Sequence, residues 1–99
     1  MADISSWPYR VAQPKDPGSV LDYEIDWSSW LADGETIVSS EWSVEDDSAA
    51  IDSSTHTDTA ATAWVSGGTV GVRLTVTNRI TTTLGRIDER SIVLKIKDL

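Results

Sequence analysis

The only histidine of this 99-residue chain, His56, lies in a segment rich in serine, threonine and aspartate. These residue types can form a Ser-His-Asp arrangement, in which the histidine takes a proton from the serine nucleophile. No serine of the chain, however, has the sequence surroundings of a nucleophile elbow. A single histidine also cannot supply the several imidazoles of a histidine-based zinc site. We therefore predict that His56 is an ordinary surface side chain.

A second group that could do chemistry is the set of carboxylates between residues 45 and 58. Calcium takes several oxygen ligands, but Asp46 and Asp47 are adjacent, and the glycine that a calcium-binding loop requires does not follow them. A pair of carboxylates that hydrolyses glycosides needs a cleft in a larger scaffold. Gly67-Gly68 lacks the Lys-Ser/Thr that completes a phosphate-binding loop. The sequence therefore predicts no catalytic residue, no metal and no cofactor, and a protein that is not an enzyme.

Composition narrows the remaining classes of function. The chain has no cysteine, so it forms neither a disulfide framework nor a thiolate metal site. No apolar run reaches the ~18 residues of a membrane helix, and we expect no membrane partner. The net charge of −8 argues against nucleic acid, because binding phosphates relies on Lys and Arg. The start of the chain lacks the apolar block of a signal peptide, so we expect folding in a reducing cytoplasm.

The charges are unevenly distributed along the chain. Residues 1–70 carry a balance of −11 and residues 71–99 a balance of +3. Solvated strand faces explain this pattern most simply, and a dipolar surface that orients docking partners is the alternative. Arg86 and Arg90 belong to the basic C-terminal part, and we expect them to be contact residues.

Five tryptophans are many for a chain of this length. Trp42 is in phase with the apolar residues around it, so we predict that it is the core tryptophan. A small core holds only a few such rings, and tryptophan is enriched at interface hot spots. We therefore expect Trp30 and Trp64 to be contact residues, and at least one of Trp7, Trp30 and Trp64 to be buried only on assembly.

Residues 1–19 contain all three prolines and are predicted to form an extended arm, because each proline fixes φ and removes a backbone donor. The arm also holds Trp7 and Tyr9, whose aromatic rings bury a large area. These rings fold back onto the domain or dock on a neighbouring subunit, and the sequence leaves both open. We include both in the candidate contact residues.

Residues 20–99 are predicted to form one all-β domain, because apolar and polar residues alternate with a period of two. Val38, Trp42 and Val44 are placed on one face, and residues 45–59 are read as an exposed loop around a short edge strand. The last two strands form an antiparallel hairpin. The pattern indicates a two-sheet sandwich, with a small barrel as the rival architecture. Six or seven short strands are predicted, among them 20–27, 36–44, the edge strand around 49–51, 60–65, 70–80 and 92–96.

Two segments of the chain resemble a known family. The first contains Lys15-Asp16-Pro17, Leu21-Asp22-Tyr23, Ile25-Asp26-Trp27-Ser28-Ser29-Trp30-Leu31 and Gly34-Glu35-Thr36-Ile37. The second contains Thr62-Ala63-Trp64-Val65-Ser66-Gly67-Gly68-Thr69, Val76-Thr77, Arg79-Ile80-Thr81-Thr82, Gly85-Arg86 and Asp88-Glu89-Arg90-Ser91-Ile92. Both are similar to small structural proteins of tailed bacteriophages, often labelled fibre–tail adaptor or head–tail region proteins. The similarity spans most of residues 15–96, and residues 45–59 depart from it.

The resemblance implies an immunoglobulin-like antiparallel β-sandwich, present in many copies in the virion and without enzymatic residues. The function expected from it is that of an adaptor at the tail or head–tail junction. Its partners are then other virion proteins (the portal, another adaptor, the tail fibre or the capsid protein) in a symmetric assembly formed in the host cytoplasm. Two alternatives remain: a cement protein that decorates the capsid, and a carbohydrate-binding module that stacks exposed tryptophans on sugar rings.

Overall fold

The computed structural model describes residues 13–99, and these form an all-β fold of seven strands without a helix. One sheet has the strand order β1-β7-β6-β3 and the other has the order β2-β5-β4. Neighbouring strands are antiparallel except β1, which runs parallel to β7. The two sheets form a sandwich-like arrangement, as the alternating pattern predicts. The strands are β1 (Gln13–Lys15), β2 (Val20–Asp26), β3 (Ile37–Val44), β4 (Ala49–His56), β5 (Ala60–Gly67), β6 (Arg73–Thr82) and β7 (Ile87–Ile96).

The β6–β7 hairpin shows why the sequence folds this way. Buried side chains alternate with more exposed ones along β6 and through the second half of β7, and many of these residues are β-branched, which suits a pleated surface with one buried face. The register runs from Arg73 opposite Lys95 to Thr81 opposite Ile87. The main-chain N–H of Thr82 donates to the carbonyl of Arg86 across the turn, at 2.9 Å. The hairpin predicted from the alternation is confirmed.

Apolar side chains from both sheets form one core. Strands β2 to β7 contribute to it, and β6 and β7 supply most of its members from alternate positions, because successive side chains point to opposite faces. A fully buried Leu, Ile or Val contributes about 1.5–3 kcal/mol relative to its exposed state, so this layer is the main favourable term in folding. The buried members are Ile25, Trp27, Ile37, Ala49, Val65, Leu74, Val76, Ile80, Ile92, Leu94 and Ile96.

The core tryptophan is Trp27, and the prediction that Trp42 takes this place is wrong. Trp27 follows β2 directly, is fully buried, and donates a hydrogen bond from Nε1 to Oδ1 of Asn78 on β6, at 2.9 Å. Trp42 is half-buried on β3 and packs against the core. The alternation gives both residues an inward phase. However, β3 is an edge strand, where an inward side chain has a neighbouring strand on one side only.

The predicted inward face of β3 also needs a correction at Val38. This side chain is 58% exposed and does not share a face with Trp42 and Val44. The pairing of β3 with β6 shifts between Ile37 and Ser39. Val38 is the extra residue of a β-bulge, and the bulge restarts the alternation so that Ile37 is buried. A strict period of two cannot detect such a bulge.

β4 is longer than the short edge strand predicted within residues 45–59. It covers Ala49–His56, pairs with β5, and lies at the edge of the three-stranded sheet. The edge position is confirmed, and the prediction that most of this segment is a loop is wrong. Nearly all its side chains are exposed, because main-chain hydrogen bonds to β5 hold the strand without an apolar face.

The predicted arm, residues 1–19, lies only in part within the described residues. Trp7 and Tyr9 fall outside them. Residues 13–19 are described, and they form β1 and the turn that leads into β2. β1 is itself an edge strand of the four-stranded sheet and pairs with β7.

A buried amine fixes the turn after β1. Lys15 is fully buried, and its Nζ donates to the carbonyls of Asp16, Ser19 and Gly67 at 3.0, 2.8 and 2.7 Å. Burial lowers the pKa of this amine, and the three acceptors replace the water that it loses. Because Gly67 belongs to β5, the Lys15 side chain ties the two sheets together.

Candidate contact surfaces

The two sheets differ in the charges that they carry. Strands β2, β4 and β5 contain no Lys or Arg, although they contain several carboxylates. Every Lys and Arg among residues 13–99 lies on β1, β6 or β7, in the β6–β7 turn, or directly after β7. The fold therefore converts the uneven charge along the chain into a difference between its two sheets.

We call the outward side of the three-stranded sheet the acidic face; it contains Asp22 and Glu24 on β2, Trp64 on β5 and Asp52 on β4. Asp52 lies where the register of β4 and β5 shifts, and it accepts a hydrogen bond of 2.9 Å from Oγ of Ser66, two residues from Trp64 on β5. On β5, the buried Ala63 and Val65 flank Trp64, so Trp64 points outward and is 44% exposed. Asp22 lies directly opposite Trp64 in the register of β2 and β5. Residues directly opposite on neighbouring strands share a face and have adjacent side chains. The exposed ring therefore has a carboxylate beside it.

Glu35 lies in the loop between β2 and β3, and its buried carboxylate links this loop to the β6–β7 turn. Its oxygens accept hydrogen bonds from Nη2 and Nε of Arg86 (2.9 Å for Nε), from Oγ1 of Thr82 at 2.5 Å, and from the N–H of Ala32 at 2.8 Å. The Arg86 hydrogen bonds above all lower the pKa of Glu35 from 4.5 to about 2. The Arg86 guanidinium also lies over the Trp30 ring, 4.1 Å from its centroid.

Arg90 makes a similar arrangement with a second tryptophan. Its Cζ lies 5.3 Å from the centroid of Trp27, and its Nη1 is 2.9 Å from Oδ2 of Asp88. The rings of Trp27 and Trp30 meet edge to face, with centroids 5.4 Å apart. In the described residues, two tryptophan rings thus each contact an arginine guanidinium, and each of these guanidinium groups is paired with a carboxylate.

The six predicted contact residues occupy different settings. Trp7 and Tyr9 lie outside the described residues. Trp30, Arg86 and Arg90 have the partners within the chain that are given above. Trp64 is exposed on the acidic face, away from those clusters. Their role in contacts with other proteins stays a prediction for all six residues.

Sequence reasoning did not single out Glu35, Asn78 or Asp22. The buried positions of Glu35 and Asn78 have no local signal, because each depends on partners distant in sequence. The alternation does place Asp22 outward, but only the strand register shows that it lies beside Trp64.

His56 is exposed, as predicted, at the end of β4, with Nδ1 3.0 Å from the carbonyl oxygen of Thr57. Within residues 13–99, no cluster of three or more His, Cys, Asp or Glu side chains could hold a metal ion. The same residues include no helix that is long and apolar enough to span a membrane.

The family model described as "Podophage GP4 fiber-tail adaptor protein gp77" matches residues 15–95 of the chain. These residues run from the last residue of β1 almost to the end of β7, so the match covers the sandwich itself. A search of the curated proteins finds no match.

Proposed function

The chain belongs to the podophage fiber-tail adaptor family, and from this premise we propose that it is a non-enzymatic virion protein that links the tail to other virion proteins. The observation that carries the proposal is the match over residues 15–95, because it includes nearly every strand of the fold. Position at the tail or head–tail junction is part of the proposal.

The sandwich is further proposed to be immunoglobulin-like, and the strand order supports this. In a constant-type immunoglobulin domain, one sheet contains strands B, E and D, and the other contains C, F and G. The sheet β2-β5-β4 has the order B-E-D, and β7-β6-β3 has the order G-F-C. The first strand, β1, lies beside β7 and not beside β2.

The proposed partners are the tail fibre, the portal, another adaptor or the capsid protein, in a symmetric assembly of many copies formed in the host cytoplasm. The proposal includes the division into an arm, residues 1–19, and a sandwich, residues 20–99. The arm then supplies Trp7 and Tyr9 as contacts, and the sandwich supplies Trp30, Trp64, Arg86 and Arg90.

Purified virions test this function. Quantitative mass spectrometry against the major capsid protein gives the copy number, and cryo-electron microscopy of the particle gives the location. We expect a few to a few dozen copies at the tail. Absence from the particle contradicts the proposal, and hundreds of copies on the capsid surface identify a cement protein instead.

A carbohydrate-binding module is the second candidate, and one observation favours it. The exposed Trp64 ring stands beside the carboxylate of Asp22, and an aromatic ring with a nearby hydrogen-bond acceptor suits a sugar. A glycan array probed with the full chain tests this candidate. Binding that disappears in Trp64→Leu supports it, and no binding to any glycan removes it.

A further inference from the structure

We propose that Trp64 and Asp22 form an acceptor for an arginine side chain presented by a partner protein. This inference rests on the proposed function, because it names how one surface of the adaptor engages its partner. The guanidinium is expected to lie on the exposed face of the Trp64 ring and to pair with the Asp22 carboxylate.

The first support is the position of Trp64 in the sheet. β5 is the central strand of the three-stranded sheet, with β2 hydrogen-bonded on one side and β4 on the other. Its backbone is therefore held along both edges, and Trp64 is presented from a fixed platform. An aromatic residue with few side-chain torsions loses little entropy when a partner covers it.

The second support is that the same chain already builds this arrangement twice. Arg86 lies over Trp30 and is held by Glu35, and Arg90 lies over Trp27 and is held by Asp88. Trp64 with Asp22 has the ring and the carboxylate of that arrangement. Because its three strands contain no Lys or Arg, the sheet itself does not supply the cation.

The third support is the charge of the surrounding face. Asp22, Glu24 and Asp52 are all exposed. A face whose charged groups are all carboxylates attracts a basic partner and speeds its approach. Arginine suits the site better than lysine, because its planar guanidinium stacks on a ring, forms two hydrogen bonds to one carboxylate, and loses its hydration more easily.

The test is a titration of the full-length chain with the peptide acetyl-Gly-Arg-Gly-amide. The Trp64 indole N–H resonance and the backbone amide of Ser53, the residue opposite Trp64 on β4, report binding by nuclear magnetic resonance. We expect saturable shifts at both signals. The peptides with Lys or Gln in place of Arg serve as ligand controls, and we expect weaker binding by Lys and none by Gln.

Two variants locate the site. Asp22→Asn is expected to weaken peptide binding about tenfold, the order that an ion pair to a stacked guanidinium contributes. Trp64→Leu is expected to abolish the shift at Ser53. Asp47→Asn removes the same charge from an exposed position outside the three strands, and we expect it to leave binding unchanged.

Several results would overturn the inference. Equal binding of the Lys or Gln peptide, or equal weakening by Asp47→Asn, would show general attraction and no arginine acceptor. Shifts that grow with protein concentration alone would identify a second copy as the occupant. The chain has one further arginine, Arg10, outside the described residues. Tighter peptide binding in Arg10→Gln would identify the chain's own Arg10 as the occupant. No response to the arginine peptide would also overturn the acceptor.

These outcomes are independent of the virion measurement. If the protein is found at the tail but shows no shifts with the arginine peptide, only the proposed arginine acceptor is contradicted. A chain that binds the peptide but is absent from purified virions contradicts the proposed function.

Discussion

The indole Nε1–H of Trp27 donates a hydrogen bond of 2.9 Å to Oδ1 of Asn78, and both side chains are fully buried. The amide nitrogen of Asn78 in turn donates to Oγ of Ser40 at 2.8 Å and to the carbonyl of Glu41 at 3.1 Å. One buried amide thus joins the end of β2 to β6 and β3. A buried polar network whose members are all hydrogen-bonded favours one arrangement of the strands.

We expect Asn78→Leu to lower the free energy of unfolding by about 1–3 kcal/mol, because it leaves the Trp27 indole N–H buried without its acceptor. Urea unfolding followed by tryptophan fluorescence measures the change. Thr77→Val on the same strand is the control, since it removes a half-buried hydroxyl that pairs with Ser91 at 2.8 Å. A loss as large in the control as in Asn78→Leu would contradict a special role for the buried bond.

Glu35 is expected to make stability depend on pH in a defined window. Its pKa falls from 4.5 to about 2 on folding, so the folded state favours the ionised carboxylate more than the unfolded state does. This contribution is fully present above pH 4.5 and is lost as the pH falls toward 2. We expect the Tm of Glu35→Gln to lie below that of the wild type at neutral pH, and the difference to shrink through this window.

Thermal unfolding followed by circular dichroism across that pH range measures the effect. Glu41→Gln, at an exposed position on β3, is the matched control, and we expect its Tm at neutral pH to stay close to that of the wild type. A Tm difference for Glu35→Gln that does not change with pH would show that the negative charge of Glu35 beside Arg86 does not contribute to stability.

Gly67, the last residue of β5, is expected to tolerate a side chain poorly. Its φ is +81°, and an added Cβ would lie 2.5 Å from the carbonyl oxygen of Ser48. Gly34 has a φ of +80° but open space around the Cβ position. We expect Gly34→Ala to cost about 1 kcal/mol from the backbone conformation alone, and Gly67→Ala to cost clearly more. Denaturant unfolding of both variants tests this, and equal costs would show that the close approach to Ser48 relaxes freely.

The same substitution at two tryptophans separates core from surface. Trp27→Leu removes a fully buried ring, and we expect it to lower the free energy of unfolding by about 3 kcal/mol or more. Trp64→Leu changes an exposed ring, and we expect a change of about 0.5 kcal/mol or less. Urea unfolding followed by circular dichroism measures both. A large loss of stability in Trp64→Leu would mean that the ring supports the fold and is not free for a partner.

Much of the fold could be predicted from the sequence, because alternation is a local property. The hairpin of residues 70–80 and 92–96 follows from side-chain period and turn residues alone, and the edge strand within residues 45–59 follows from the short apolar run Ala49-Ala50-Ile51. The bulge at Val38 could not be found in this way, since it arises from pairing with β6. The length of β4 was missed because its side chains lack an apolar face.

Three properties can be read from the residues alone: the chain is all-β, apolar and polar residues alternate along its main strands, and most of its basic residues lie near the C-terminus. The packing of the two sheets places Trp27 and not Trp42 in the core. Only the tertiary structure pairs Arg86 with Glu35 and places Asp22 beside Trp64. Which side chains of a strand share a face depends on residues adjacent in the sequence. Register and edge position depend instead on hydrogen bonds between segments far apart in the chain.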